Sequence, residues 1–104
     1  METIISKEVM DGIWEIGHQR VKELDTLTKE YPILTRFIRD VRKDYIICLN
    51  AITSRDFNLI ERMRKIIEIK EKELESQIEV IKEDSNRIKK AKAIKESEET
   101  RNGQ

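Results

Sequence analysis

Hydrophobic and small residues recur along the first third of the chain at alternating spacings of four and three positions. The row consists of Met10, Trp14, Gly17, Val21, Leu24, Thr28 and Tyr31. This spacing is typical of an amphipathic helix that buries one face. Ser6 can cap such a helix, and Pro32 pushes the residue before it out of the helical conformation. We therefore predict a first helix over about residues 6–29, with Gly17 permitting close approach of a neighbouring helix.

The same spacing predicts a second helix over residues 32–52. Its inner row is formed by Leu34, Ile38, Val41, Tyr45, Cys48 and Ile52. Because Ile46 and Ile47 lie off this row, the middle of the helix is apolar nearly all round. A helix of that kind needs cover on more than one side. We expect helix 2 to be the central element of the fold.

A third helix is predicted over residues 54–88, after the helix-start signature Thr53-Ser54-Arg55-Asp56. Its apolar row keeps a strict interval of seven and comprises Ile60, Ile67, Leu74, Ile81 and Ile88. A strict heptad favours a left-handed supercoil. The companion row is partly polar and contains Met63, Lys70, Gln77, Asp84 and Ala91. The coiled-coil character is therefore partial, and a break at residues 84–86, with the chain folding back, is the alternative.

These segments predict an all-α fold: an antiparallel three-helix bundle, or a helical hairpin, with a long third helix of partial coiled-coil character. The 104 residues suit one domain, which we place at residues 1–88. Three Gly and one Pro cannot supply the turns of a β-sandwich or barrel, and a single Cys excludes a disulfide framework. We expect residues 89–104 to be a charged tail that is frayed or disordered.

Charge is balanced overall, with 21 basic and 21 acidic residues, but it alternates in blocks. Residues 66–84 carry 7 acidic and 3 basic groups, and residues 85–95 carry 5 basic groups and no acidic one. No apolar run approaches the about 18–20 residues of a membrane span, and the N-terminus lacks a signal-peptide pattern. A lone Cys fits a reducing compartment. We expect a cytoplasmic protein, in a cell or an infected host, without a membrane partner.

Side chains suited to catalysis are sparse. Glu15 and His18, which is the only His, match the Glu-x-x-His spacing of di-iron bundles, but a helical wheel puts both on the polar outer face. Cys48 lies on the inner row of helix 2, and no His on that helix can serve as its base. The three Gly are isolated and form no phosphate-binding loop. We therefore expect a protein that is not an enzyme and that binds no metal or cofactor.

The length of helix 3 favours a role in protein–protein interaction. At 1.5 Å per residue it spans roughly 45–65 Å, which exceeds the length of helices 1 and 2. Apolar residues repeated on an otherwise exposed helix indicate an interaction surface. We predict a small intracellular adaptor or regulatory protein that binds a protein partner and forms a homo-oligomer, with a dimer favoured. The predicted interface residues are Ile67, Leu74, Ile78, Ile81 and Ile88.

Contact with nucleic acid is the alternative function. Two basic clusters, one on helix 2 and one near the C-terminus, could bind phosphate groups. They contain Arg36, Arg39 and Lys43, and Arg87, Lys89, Lys90 and Lys92. The zero net charge and the lack of aromatic residues beside the clusters make this alternative less favoured.

Overall fold

The protein consists of three α-helices joined by short connections. In the computed structural model, the structure describes the backbone of residues 4–102 and the side chains of residues 4–93. Helix α1 spans Lys7–Glu30, a single 3-10 turn spans Pro32–Leu34, α2 spans Thr35–Thr53 and α3 spans Phe57–Asn102. The described residues contain no strand, and the predicted all-α fold is confirmed.

Local sequence explains where α1 begins and ends. The Ser6 side chain accepts a hydrogen bond from the backbone N–H of Val9 and so caps the helix. At the other end, the N–H of Tyr31 donates to the carbonyl of Leu27. Pro32 then starts the 3-10 turn, because its fixed φ suits a first helical position. Both ends lie within one residue of the prediction.

The connection between α2 and α3 differs from the prediction. Arg55 adopts a left-handed backbone conformation with φ 56°, which ends the helical geometry after Ser54. Asp56 then caps α3, since its Oδ1 accepts a hydrogen bond from the N–H of Leu59. Helix α3 therefore begins at Phe57 rather than at Ser54.

The chain divides into two compact units after Leu74. The first unit contains α1, α2 and the first part of α3, and all three helices contribute to its core. Its largest fully buried side chains are Leu24, Ile38, Val41, Ile60 and Leu74. Cys48, Ala51 and Met63 extend this core towards Ile5, which precedes α1. Helix α2 contributes more buried residues than α1. This agrees with its predicted central position.

A close approach of α1 and α2 occurs at Gly17. A Cβ atom built on Gly17 would lie 2.9 Å from Cδ2 of Leu49, closer than ordinary van der Waals contact. Further along, Asp25 of α1 pairs with Arg42 of α2, so the two helices run antiparallel. The predicted role of Gly17 in helix approach is confirmed.

The second unit begins at Glu75 and is helical throughout its described part. The alternative break at residues 84–86 is absent, and α3 continues past the predicted end at Ile88 to Asn102. Lys, Ala and Glu, which dominate residues 89–99, have high helix propensity, and this accounts for the difference. The backbone of the predicted tail is thus helical as far as Asn102, while Gly103 and Gln104 lie outside the described residues.

Replacing Gly12 or Gly17 with Ala should separate the effect of helix propensity on stability from the effect of packing. An alanine at Gly12 meets no atom within 4 Å, so we expect it to stabilise the protein by about 0.5–1 kcal/mol. At Gly17 the added methyl must displace Leu49, so Gly17→Ala should be at least about 1 kcal/mol less stable than Gly12→Ala. Urea unfolding followed by circular dichroism measures both values. Equal stabilisation by the two variants would contradict the close approach of α1 and α2.

Candidate interaction surfaces

Two adjacent residues of α3, Lys70 and Glu71, form hydrogen bonds with the other two helices. The Nζ of Lys70 donates to Oδ2 of Asp40 at 2.8 Å and to Oδ2 of Asp44, both on α2. Glu71 accepts from Arg20 of α1 through two hydrogen bonds, 2.7 Å from Nε and 3.2 Å from Nη2. Bidentate pairing of this kind fixes orientation as well as distance. Lys70 and Glu71 therefore set the position of α3 against α1 and α2.

The contacts around Lys70 and Glu71 shift the pKa values of two groups, Lys70 and Tyr45. Asp44 is only 7% exposed, and Lys70 neutralises it. The hydrogen bonds from Lys70 to Asp40 and then to Asp44 raise the pKa of the lysine. Burial, followed by the nearby Glu71 carboxylate, raises the pKa of Tyr45 well above its ordinary value. These contacts thus favour a charged lysine and a neutral phenol.

A groove of about 640 Å³ opens between α1 and α3, and we call it the α1–α3 groove. Its floor is apolar and its α3 rim is charged. The floor and the α1 wall are formed by Tyr45, Cys48, Leu49, Ile13, Ile16 and Gly17. Glu61, Arg64, Lys65, Ile67, Glu68 and Glu71 form the α3 side. An apolar floor with a polar rim is the usual anatomy of a protein interface.

Helix α1 leaves several large apolar side chains in solvent, and one of them, Ile16, lines the α1–α3 groove. Ile16 is 68% exposed, and Val9 is also exposed. Trp14, predicted on the inner row, is 40% exposed and lies at the edge of the buried face. Its ring contacts that of His18 edge-on, with 4.4 Å between the ring centroids. Trp14 and Ile16 lie about 160° apart around α1, so these exposed residues do not form one contiguous patch.

Glu15, His18 and Cys48, the residues considered for catalysis, lie on the helix faces that the apolar spacing predicts. Glu15 and His18 are both exposed on α1, and Cys48 is a buried free cysteine. Burial raises the pKa of the Cys48 thiol, which opposes formation of the reactive thiolate. Cys48 therefore acts as a small core residue at the floor of the α1–α3 groove.

The five predicted interface residues fall into two groups. Ile67 and Leu74 are 8% and 0% exposed, because the bundle of the chain itself covers them. They are core residues, and the folded bundle leaves almost none of their surface for a second chain. Ile78 and Ile81 are half-buried, whereas Ile88 is 57% exposed. Only these last three remain candidates for contact with a partner.

A second groove, of about 610 Å³, lies between α1 and α2 and is basic; we call it the α1–α2 groove. Its lining residues are Asp25, Thr28, Lys29, Arg39, Arg42, Lys43, Ile46 and Ile47. The structure adds Lys29 and Arg42 to the predicted cluster. The Nε of Arg42 is 3.0 Å from Oδ1 of Asp25, an ion pair without hydrogen-bond geometry.

The other predicted basic residues lie outside this groove. Arg36 is exposed on α2 but does not line the groove. The C-terminal cluster is exposed on the second unit and comprises Arg87, Lys89, Lys90 and Lys92. The sequence pattern missed Lys29, because it lies on a different helix from Arg39 and Lys43.

The described residues hold no group of three or more His, Cys, Asp or Glu side chains that could bind a metal ion. No helix among them combines the length and the apolar character needed to cross a membrane. No protein-family model matches the chain, and no curated protein or solved structure is significantly similar to it.

The raised pKa of Tyr45 predicts a loss of stability in alkaline solution. An unfolded tyrosine releases its proton near pH about 10, whereas the folded protein retains it to higher pH. The unfolded state then binds fewer protons, so the free energy of unfolding falls as pH rises above about 10. We expect Tyr45→Phe to reduce this fall, measured by urea unfolding at about pH 9 and 11. Tyr31→Phe is the control, and identical pH dependence in the two variants would contradict the assignment.

Proposed function

We propose that this protein is a small helical adaptor or regulator that self-associates, with a homodimer as the smallest assembly. The association uses the part of α3 that lies in the second unit. The observation that carries the proposal is the change in exposure along one heptad row. Ile60, Ile67 and Leu74 are buried in the bundle, whereas Ile88 is exposed. Residues seven apart lie on nearly the same face of a helix. The second unit thus carries apolar side chains at the same interval, with Ile81 half-buried and Ile88 exposed, and a partner can cover them.

The distribution of charge favours a second copy as that partner. Acidic groups predominate in residues 66–84, and basic groups alone occur in residues 85–95. Two antiparallel copies of α3 place the basic block of each chain beside the acidic block of the other. Coiled-coil packing in this pair is part of the proposal, and so is a cytoplasmic location, which the free Cys48 favours.

Replacing Ile88 with Lys tests self-association. The loss of an isoleucine from the interface, worth about 1.5–3 kcal/mol, should raise the dimer dissociation constant at least about tenfold. Ile69→Lys is the matched control, because Ile69 is 70% exposed on α3 but lies off the heptad row. Light scattering coupled to gel filtration, over a range of concentrations, measures the mass of each protein. Leu74 is unsuitable for this test, because a lysine there would unfold the bundle.

Two outcomes would overturn the proposal. One is a wild-type protein that stays monomeric at every concentration. The other is an Ile88→Lys variant that associates as the wild type does. Circular dichroism checks that both variants keep their helix content.

The α1–α2 groove supports contact with nucleic-acid phosphates as a second candidate function. Within the described part of the chain, no carboxylate forms an ion pair with Lys29, Arg39 or Lys43. Arg and Lys groups of this kind bind phosphates by releasing condensed counterions.

A gel shift with duplex DNA at about 50 mM salt tests this second function. Lys43→Glu should weaken binding across all sequences and reduce the slope of log K against log salt by about 1. Arg62→Glu, an exposed change on α3, is the control of equal charge. Absent binding, or binding that does not depend on salt, would exclude this function.

A further inference from the structure

We infer that the α1–α2 groove binds a small ligand that carries two linked phosphates next to an apolar or aromatic group, as a nucleoside diphosphate does. The inference does not depend on self-association. It shares the phosphate-binding cations of the second candidate function and assigns them a small molecule rather than a duplex. All the residues that carry it lie in the first unit.

Cations from two helices converge at one end of the groove. Asp25 of α1 pairs with Arg42 of α2 at 3.0 Å, so these two residues lie level with each other in the antiparallel helices. Lys29, four residues further along α1, is then level with the stretch of α2 that contains Arg39. Lys43 directly follows Arg42 and also lines the groove. Both walls of this end therefore present positive charge.

The protein itself leaves most of this charge without a partner. Among the described residues, Lys29, Arg39 and Lys43 take part in no ion pair. The buried Nε of Arg42 lies near Asp25 but has no hydrogen-bond partner there. A donor without an acceptor is costly, and phosphate oxygens accept strong, charge-assisted hydrogen bonds. The groove thus has an excess of donors that a phosphate-bearing ligand can satisfy.

The balance of charge favours two phosphates over one. Four cations and one carboxylate line the groove, which gives it a net charge of three positive. A single phosphate ester carries about −1.5 to −2 at pH 7, so it neutralises only part of this charge. A second, linked phosphate brings ligand and groove close to balance, and it also extends the ligand along the row of cations.

The other end of the groove is apolar. Ile46 and Ile47 follow Arg42 and Lys43 by one turn of α2, or about 6 Å along the helix axis. Both isoleucines are half-buried, so part of each side chain is open to a ligand. A ligand that spans both ends therefore needs an apolar or aromatic group next to its phosphates.

The size of the groove suits a small molecule. Its volume of about 610 Å³ lies within the range of about 300–1,000 Å³ that is usual for small-ligand sites. The phosphates of a duplex lie on the outside of a broad, convex rod. They would contact the cations at the rim and leave Ile46 and Ile47 uncovered. A nucleoside diphosphate can instead use the charged end and the apolar end together.

Calorimetric titration of the full chain at about 50 mM salt tests the site, with adenosine diphosphate and inorganic pyrophosphate as probes. We expect adenosine diphosphate to bind at least about fivefold more tightly, because the isoleucines cover its ring. Lys43→Gln removes a charge-assisted hydrogen bond and should weaken binding of both probes about tenfold. Lys65→Gln, an equal change of charge at an exposed position of α3, is the control and should bind as the wild type does.

Asp25→Asn provides a test in the opposite direction. It removes the carboxylate that lines the groove, so the phosphates meet less repulsion and adenosine diphosphate should bind at least about threefold more tightly. The Asp25 side chain is 59% exposed, and a surface ion pair contributes little to stability, so the fold should be unchanged by circular dichroism. Unchanged or weaker binding by this variant would contradict the assignment of the phosphates to this end of the groove.

The outcomes separate this inference from the second candidate function. Duplex DNA that binds in the gel shift, with no binding of adenosine diphosphate, would overturn the inference and leave the nucleic-acid function intact. Binding of adenosine diphosphate without binding of the duplex supports the inference and excludes that function. Equal affinity for the two probes, or equal loss of affinity in Lys43→Gln and Lys65→Gln, would also overturn the inference.

Discussion

The polar layer formed by Lys70 and Glu71 governs the geometry of the bundle. These neighbours point about 100° apart around α3, so one reaches α2 and the other reaches α1. Removing such groups from water is costly, and only multiple hydrogen bonds with good geometry offset that cost. Sliding α3 by one residue would break both sets of hydrogen bonds at once. The layer therefore selects one register among several that apolar packing alone would allow.

The same polar layer also helps to set the width of the α1–α3 groove. Glu71 lines the groove and pairs with Arg20 of α1 at 2.7 Å, so this ion pair holds α1 and α3 at a fixed distance beside the groove. At Gly17, by contrast, α1 lies directly against Leu49 of α2. Close approach to α2 and a fixed separation from α3 together leave the floor of the groove open. The groove is thus a consequence of two specific contacts rather than of loose packing.

The periodicity of apolar residues was sufficient to predict the three helices and much of the core. Leu34, Ile38 and Val41 are buried as their spacing indicates. The polar layer could not be predicted, because charged residues are assigned to the surface when helix partners are unknown. Lys70 illustrates the difficulty. On the sequence it weakens the coiled-coil row, whereas in the structure Asp44 of another helix neutralises it.

The candidate site was harder to predict than the fold, for the same reason. Periodicity indicates that Ile67 and Leu74 lie on a covered face of the helix. It does not indicate whether the chain itself or a partner covers that face. The left-handed Arg55 delays the start of α3, and no spacing rule indicates it. The grooves depend on how far apart helices are held, which a single sequence does not specify. Lys29 illustrates this, since only the fold brings it to the same groove as Arg39 and Lys43.

The proposed self-association would use the heptad row that also contributes to the core, and would thereby link assembly to folding. A partner that binds only the folded chain stabilises it by mass action, so stability rises with protein concentration. Ile88 is largely exposed in the single chain, so the proposed dimer would remove from water apolar surface that the monomer leaves open.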